Sequence, residues 1–375
     1  MFWNGRSKLK VGKRLAFLLP DMRGGGAERV ALRLIEDFLA AGHDVDLVLM
    51  EARGELLPLV PPTVRIVDLR ALRIRSVIKP LRRYFRERKP HAMQISMWPL
   101  TVAGIIAHRL ARSKARVVLS DHIVLTKQYG HFGRAGLQLM RASLRHFYPL
   151  ADARILVSHQ AADDLSKLSG IARDRIEVIY NPVGKPPANL APDTAIEALW
   201  GAETGRIITV GTLKEQKNHA LLIRSFARLL QRRPAKLMIL GEGPLRPELD
   251  KLATEMGVAE HVILPGFSTD PWPYFASADL FALSSDYEGY PLVLIEAMRS
   301  GLPIVSTDCE SGPREILRDG QYGMLVEVGS AEAMTDALER GLDARLNPAT
   351  QRARAEEISG QDTSDRYLQL MLGSS

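Results

Sequence analysis

Residues 280–307 constrain the fold more than any other stretch. Leu280 to Leu283 is a short apolar run of strand character, followed by a polar loop, Ser284 to Gly289. Pro291 then stands where a helix would begin, at the N1 position that proline favours. Leu292, Ile295, Ala297 and Met298 are apolar at helical spacing. Gly301 is placed as the C′ residue, and Pro303 forbids continuation of the helix. Ile304 to Ser306 is the next apolar run. Strand, loop, helix, turn and strand make a βαβ unit, and open α/β sheets bind ligands at the carboxyl ends of their strands. The same alternation recurs on both sides of a proline-rich linker at 183–192. It predicts two doubly wound α/β domains facing a cleft.

Two carboxylates mark the mouth of the 280–307 unit. Glu288 lies in the loop and Glu296 about a turn and a half inside the helix. Gly289 permits close backbone approach. The free amides of the first helical turn can receive phosphate oxygens, and carboxylates are strong acceptors for sugar hydroxyls. Carboxylates flanking amide donors suit a sugar joined to a phosphate.

The 375 residues, 46% hydrophobic and 25% charged, fit a globular protein of one or two domains. One cysteine, Cys309, excludes a disulfide framework and a multi-cysteine zinc site, and accords with a reducing compartment. No apolar run nears the ~20 residues that span a bilayer. The basic start, MFWNGRSKLKVGKR, lacks the apolar core of a signal peptide. A net charge of +7 points to anionic partners.

In the first half, Leu15 to Leu19 reads as a strand. It runs through Gly24, Gly25 and Gly26 into a helix, Ala27 to Ala40, and then a strand, Val45 to Met50. The turn is not GxGxxG, so the dinucleotide fingerprint fails. Its glycines allow either a backbone wall for phosphate or sugar, or simply a tight turn. Residues 54–67 read as loop. From Arg70 to Lys89 the chain is densely basic with interleaved apolar residues, an amphipathic helix interrupted at Pro80. Such a helix is either a solvated face or one attracted to anionic lipid or a lipid diphosphate. Motifs of the common nucleic-acid modules are missing, so no nucleic-acid partner is expected. A strand from Arg116 to Leu119 ends in Ser120, Asp121 and His122. His122 is thus at the functional rim, as a general base or a sugar hydrogen-bonder, or else a loop histidine satisfied by Asp121.

In the second half, Ile207 to Val210 ends in Gly211, and Asn218 is well placed as the N-cap of the next helix. Lys214 and Lys217 lie in the loop before it. A cation beside a helix N-terminus opposes the dipole unless an anion binds there, so the two lysines are either ligands of an anion, pyrophosphate being the natural candidate, or solvated loop lysines. A strand from Val262 to Leu264 ends in Pro265, Gly266 and Phe267, whose backbone either bonds a base edge or simply makes a turn. Pro313 to Leu317 suggests a short helix with Glu315 bracing the site, and two helices beyond Ala331 finish the chain.

These residues resemble the retaining family-4 glycosyltransferases with the GT-B fold, along nearly the whole chain. The E-x7-E pattern is carried by Glu288, Gly289, Tyr290, Pro291, Leu292 and Glu296. PGF, ADLFALSS and VGTLKEQKN precede it, and SGLPIVSTDCESGPREIL and DGQYGMLVEVG follow. The resemblance implies an acceptor-binding domain at 1–183, rejoined by a crossing helix at about 360–375. A nucleotide-sugar donor-binding domain would span 184–359. It implies that Glu296 bonds the ribose, that Glu288 and the amides of Gly289 and Tyr290 contact the donor sugar, and that Lys217 binds the diphosphate. Gly211, Phe267, Pro291 and Leu292 belong to the same donor-binding set. Gly25 and Gly26 would approach from the other domain, and His122 stands where the family has a sugar-contacting residue. Lys217, Glu288 and His122 form the expected catalytic group. The family usually has arginine at the position of Thr212, so either Lys214 supplies the second cation for the diphosphate or Lys217 acts without one.

The expected function is retaining transfer of a hexose or N-acetylhexosamine, from a UDP-linked sugar by family analogy, to a saccharide acceptor. That acceptor is expected to be polyprenyl-diphosphate-linked, in surface polysaccharide or lipopolysaccharide assembly. No DxD-like metal motif stands at a strand end, so no metal or other cofactor is expected. The protein is expected to be cytoplasmic and peripheral on the inner, anionic membrane face. The alternatives are a GT-B sugar-nucleotide epimerase and a non-catalytic nucleotide-sugar-binding protein.

Overall fold

The computed structural model describes residues 12–187, 193–202, 204–344, 347–359 and 362–373. Most of the basic start, and positions 188–192 of the proline-rich linker, lie outside the described residues. The first sheet holds seven strands: β1 (Arg14–Leu19), β2 (Asp44–Leu49), β3 (Arg65–Asp68), β4 (Ala92–Ser96), β5 (Arg116–Asp121), β6 (Ala153–Leu156) and β7 (Glu177–Val178). The second holds six: β8 (Arg206–Val210), β9 (Lys236–Leu240), β10 (Val262–Gly266), β11 (Leu280–Leu283), β12 (Ile304–Thr307) and β13 (Met324–Val326). Their orders are β3-β2-β1-β4-β5-β6-β7 and β10-β9-β8-β11-β12-β13, and the strand pairs are parallel. Helices cover both faces, so inner strands such as RLAFLL and KLMIL read as nearly unbroken apolar runs. In each sheet the strand order reverses at one point, between β1 and β4 and between β8 and β11. Ligands of doubly wound sheets bind at that switch.

The carboxyl-terminal helix, Thr363–Leu372, crosses back to the first domain. Arg116 Nε donates to Leu370 O at 3.2 Å, and Ser364 Oγ to Asp37 Oδ2 at 2.5 Å. One apolar cluster runs continuously from Leu15 and Phe17, through Tyr367 and Met371, to Phe281 and Leu292. The two domains therefore share a core as well as a cleft.

Four local expectations need correction. The helix Ile74–Arg88 passes straight through Pro80. Proline removes one backbone bond there, but Val77, Leu81, Tyr84 and Phe85 are buried on the sheet, and Tyr84 Oη donates to Asp46 at 2.9 Å. Residues 54–67 include the start of β3, a short edge strand too polar to read as one. Pro291 is the N-cap, not N1, of the helix Leu292–Ser300. Three helices, not two, follow Ala331: Ala331–Asp343, Pro348–Ile358 and Thr363–Leu372.

Candidate active site

The loops after β8 and β11, neighbours at the second switch point, build the centre of the site. After β8, Gly211 leads to a single 3-10 turn, Glu215–Lys217, closed by Asn218 in the left-handed region. The Asn218 side chain accepts from Leu221 N, as an N-cap should, and its amide donates to Asp286 at 2.8 Å. Ser284 Oγ donates to Lys217 O at 2.9 Å, and Gln216 Nε2 to Tyr287 O at 2.8 Å. The two loops are thus stitched together along their backbones. Gly211 lies so near Lys217 that a Cβ would sit 3.3 Å from its Cε, which directs the lysine across the strand end.

Lys217 Nζ meets Glu288 Oε1 at 2.7 Å, and both side chains are nearly out of solvent, at 14% and 7% exposure. Ser285 Oγ donates to the same carboxylate oxygen at 2.6 Å. The expected phosphate cation and the expected sugar acceptor are therefore bonded to each other. A donor diphosphate bound at Lys217 would have to share or displace this internal partner. The pairing also means that charge reversal at Lys217 would press two carboxylates together and strain the fold. Cys309, buried beside Glu288, has its thiol pushed up to about 12 by burial first and by that carboxylate second. It is not a nucleophile at neutral pH.

Glu296 projects from the second turn of Leu292–Ser300, and its carboxylate has no hydrogen-bond donor among the described residues. Burial raises its carboxyl above the ordinary range, while Arg29 and Arg299 oppose the rise. It is a desolvated acceptor without a protein donor, suited to neutral hydroxyls.

The opposite wall comes from the first sheet. His122 follows β5, and a Cβ on Gly289 would fall 1.8 Å from its carbonyl oxygen. Gly289 is therefore the seam where the two domains touch, and any larger residue would hold them apart. A Cβ on Gly24 would meet the Phe267 ring at 2.6 Å, and one on Gly26 would reach Leu292 at 3.9 Å. Phe267 thus packs on the glycine turn rather than only lining a base. Arg29 Nη2 donates to Ser268 O at 3.4 Å, and Lys127 pairs with Glu310 at 3.0 Å. Ser311 joins both sides: its hydroxyl bonds Gly289 O at 2.7 Å and Ser158 Oγ. Tyr290 is buried and stacked on Tyr180 at 4.9 Å, so its side chain locks the crossover. Glu315 braces the seam by accepting from His159 N at 3.2 Å.

The His122 imidazole bonds Ser120 Oγ at 2.9 Å, not Asp121. Asp121 accepts from Trp98 N and Tyr148 Oη instead. Burial pulls the His122 pKa down to about 4, with the Asn181 side chain opposing. The ring is neutral at pH 7, a hydrogen-bonding group and not a cation.

Glu28 escaped the sequence reading. It is third in the helix Gly26–Ala40, and its carboxyl lies 2.3 Å from where a Gly25 side chain would begin. Burial first, then Asp21, push it up to about 7, against the pull of its own backbone amide, Lys214 and Arg23. Its signal was present as a carboxylate in the first turn after three glycines. Lys214 faces it across the cleft. It keeps solvent contact, but the surrounding protein and Lys217 lower its pKa, while Glu288 and Glu28 raise it. His219, at the helix start beside Lys217, is buried and held neutral, its pKa down to about 3. Among the described residues, no group of three or more His, Cys, Asp or Glu is arranged to hold a metal. None of the described helices is long and apolar enough to cross a membrane.

Comparison with known proteins gives the family and the fold. The model of glycosyltransferase family 4 matches residues 24–184, and that of glycosyl transferases group 1 matches residues 197–358. The chain is 30% identical over 360 residues to the Campylobacter jejuni N-acetylgalactosamine-N,N′-diacetylbacillosaminyl-diphospho-undecaprenol 4-alpha-N-acetylgalactosaminyltransferase, covering 92% of this chain and 95% of that one. It is 27% identical to the amylovoran biosynthesis glycosyltransferase AmsD of Erwinia amylovora, over 84% and 85% of the two chains. The crystal structure of Anabaena HepE in complex with UDP-glucose superposes with a TM-score of 0.80 at 19% identity, covering 97% and 100%. The chain belongs to glycosyltransferase family 4, and is a hexosyltransferase with the GT-B fold.

Proposed function

We propose that the protein transfers a hexose or N-acetylhexosamine from a UDP-linked donor, with retention, to a saccharide carried on a polyprenyl diphosphate. The observation that carries this reading is the Lys217–Glu288 pair at the β8/β11 switch point, with unpaired Glu296 behind it. Glu296 accepts from the ribose hydroxyls, and Glu288 from the donor sugar. Lys217, released from Glu288, stabilises the charge growing on the leaving diphosphate, and Lys214 supplies the second cation in place of an arginine at Thr212. A preorganised cation in a dry site is the largest available contribution of this kind. Retention follows if the acceptor enters on the leaving-group side and gives its proton to the departing phosphate. His122, neutral, steadies a sugar hydroxyl. The chemistry is metal-independent in this reading, so turnover persists in excess EDTA.

A lipid-linked acceptor is supported by the relative from Campylobacter jejuni, whose name specifies a diphospho-undecaprenol substrate. It is supported too by the helix Ile74–Arg88, whose outer face carries Arg75, Lys79, Arg83 and Arg86 with a large exposed Leu72 just before it. Such a face suits the anionic inner leaflet and a peripheral, cytoplasmic location. The deciding experiment is a thermal-shift screen of UDP- and GDP-sugars, since binding to the native state raises the melting temperature. Transfer from the best donor to a synthetic polyprenyl-diphosphate saccharide follows, with the anomer read by NMR. An inverted product, or binding without turnover, would reject the reading.

A further inference from the structure

A second cationic site lies on the side of the first domain away from the cleft. The helix His159–Ser169 starts at the carboxyl end of β6, beside the cleft, and runs back to end at the opposite edge of the sheet. There Gly170 turns the chain, and the segment from Arg145 to Arg154 enters β6 from the same edge. Between these two turns is a cavity of about 430 Å³ lined by Arg145, Arg154 and Arg175, with Pro149, Ser169 and residues 170–172. No carboxylate lines it.

Arg154 is 5% exposed. Its Nε donates to Tyr148 O at 2.9 Å and its Nη2 to Ala151 O, but it has no ion-pair partner among the described residues. Burial lowers its pKa and the charge of Arg175 lowers it further, with only Asp152 opposing. Asp152 is itself engaged by Val117 N at 2.7 Å. Arg145 and Arg175 are exposed and likewise unpaired among the described residues. Three arginines line this cavity with no acid among the lining residues, and a bound anion would offset their mutual repulsion. Arginine forks bind phosphate oxygens bidentately. The volume is of ligand size and exceeds that of inorganic phosphate.

We propose that this cavity binds a phosphate ester, independently of the donor cleft. The ester belongs either to a lipid headgroup or to a small soluble molecule. Exposed Leu150, next to the lining residue Pro149, and exposed Leu139 on the preceding helix would meet acyl chains in the first case.

The test uses glycerol 3-phosphate in calorimetry and vesicles of phosphatidylcholine with and without phosphatidylglycerol in flotation. The variant is the double R145A/R175A, since both side chains are exposed and the fold does not depend on them. We expect glycerol 3-phosphate affinity to fall about tenfold or more in the variant, with the donor-induced thermal shift unchanged. A parallel tenfold fall in partition to the anionic vesicles alone assigns the site to a lipid headgroup. Unchanged partition with lost glycerol 3-phosphate binding assigns it to a soluble ester. Equal glycerol 3-phosphate behaviour and equal partition for the two proteins would overturn the proposal.

Discussion

Replacing Lys217 by methionine separates what the Lys217–Glu288 pair does for the fold from what the lysine does for transfer. At 2.7 Å and an effective dielectric near 20, the gross attraction is about 6 kcal/mol. Desolvation of two nearly buried groups offsets most of it. Truncating one partner alone is costly, because Glu288 is left charged with only the Ser285 hydroxyl beside it. A loss of about 3 kcal/mol in unfolding free energy is expected for Lys217→Met. Turnover should fall about 10²–10³-fold if the lysine steadies the leaving diphosphate. The double variant Lys217→Met/Glu288→Gln removes the stranded charge and should recover most of the stability, but none of the turnover. Urea melts and initial rates at saturating donor measure the two quantities. Wild-type turnover in Lys217→Met would refute the role, and so would recovery of turnover in the double variant, since the lysine would then serve only to neutralise Glu288.

Gly289→Ala should cost at least about 2 kcal/mol of interdomain stability and abolish transfer, because its Cβ would fall 1.8 Å from a backbone oxygen; an active, wild-type-stable variant contradicts the seam. Glu28 has a folded-state pKa raised from 4.5 to about 7, so its contribution is full below pH 4.5 and is lost as pH rises through 7. Glu28→Gln should flatten the stability–pH curve between those values, a difference of about 3 kcal/mol, and an unchanged slope would show the carboxyl to be solvated. The His122 pKa is depressed from 6.5 to about 4, so its contribution is present above 6.5 and is lost as pH falls through 4. An NMR titration of the imidazole with a midpoint near 6.5 would show that the ring is not desolvated.

The 280–307 unit was legible because every signal in it is local: an apolar run, a polar loop, helical spacing, then Gly301 and Pro303. The twice-repeated alternation made the two sheets legible for the same reason. Lys217 and Glu288 were each found, but not their bond. They are 71 residues apart, and only the adjacency of β8 and β11 brings them together. The helix through Pro80 was misread because propensity sees the missing amide, not the four side chains anchored beneath it. Asp121 next to His122 was a natural guess for its partner, but successive strand residues point to opposite faces. Ser120, two residues away, shares the face of the imidazole. Ser311 and Tyr180 gave no signal, since their task exists only where the domains meet.

The crossing of Thr363–Leu372 onto the first domain limits how the two domains can be exchanged between relatives. The chain leaves the first domain once and returns to it once, so the second domain is an insert and not a tail. Exchange of that half between relatives requires two junctions, one in the linker near 183–192 and one near 359–362. The last helix would then stay with the first domain, against which Tyr367 and Met371 are buried. A single-crossover chimaera would bring a foreign final helix to the β4/β5 surface and fail there first, in the domain that was not exchanged.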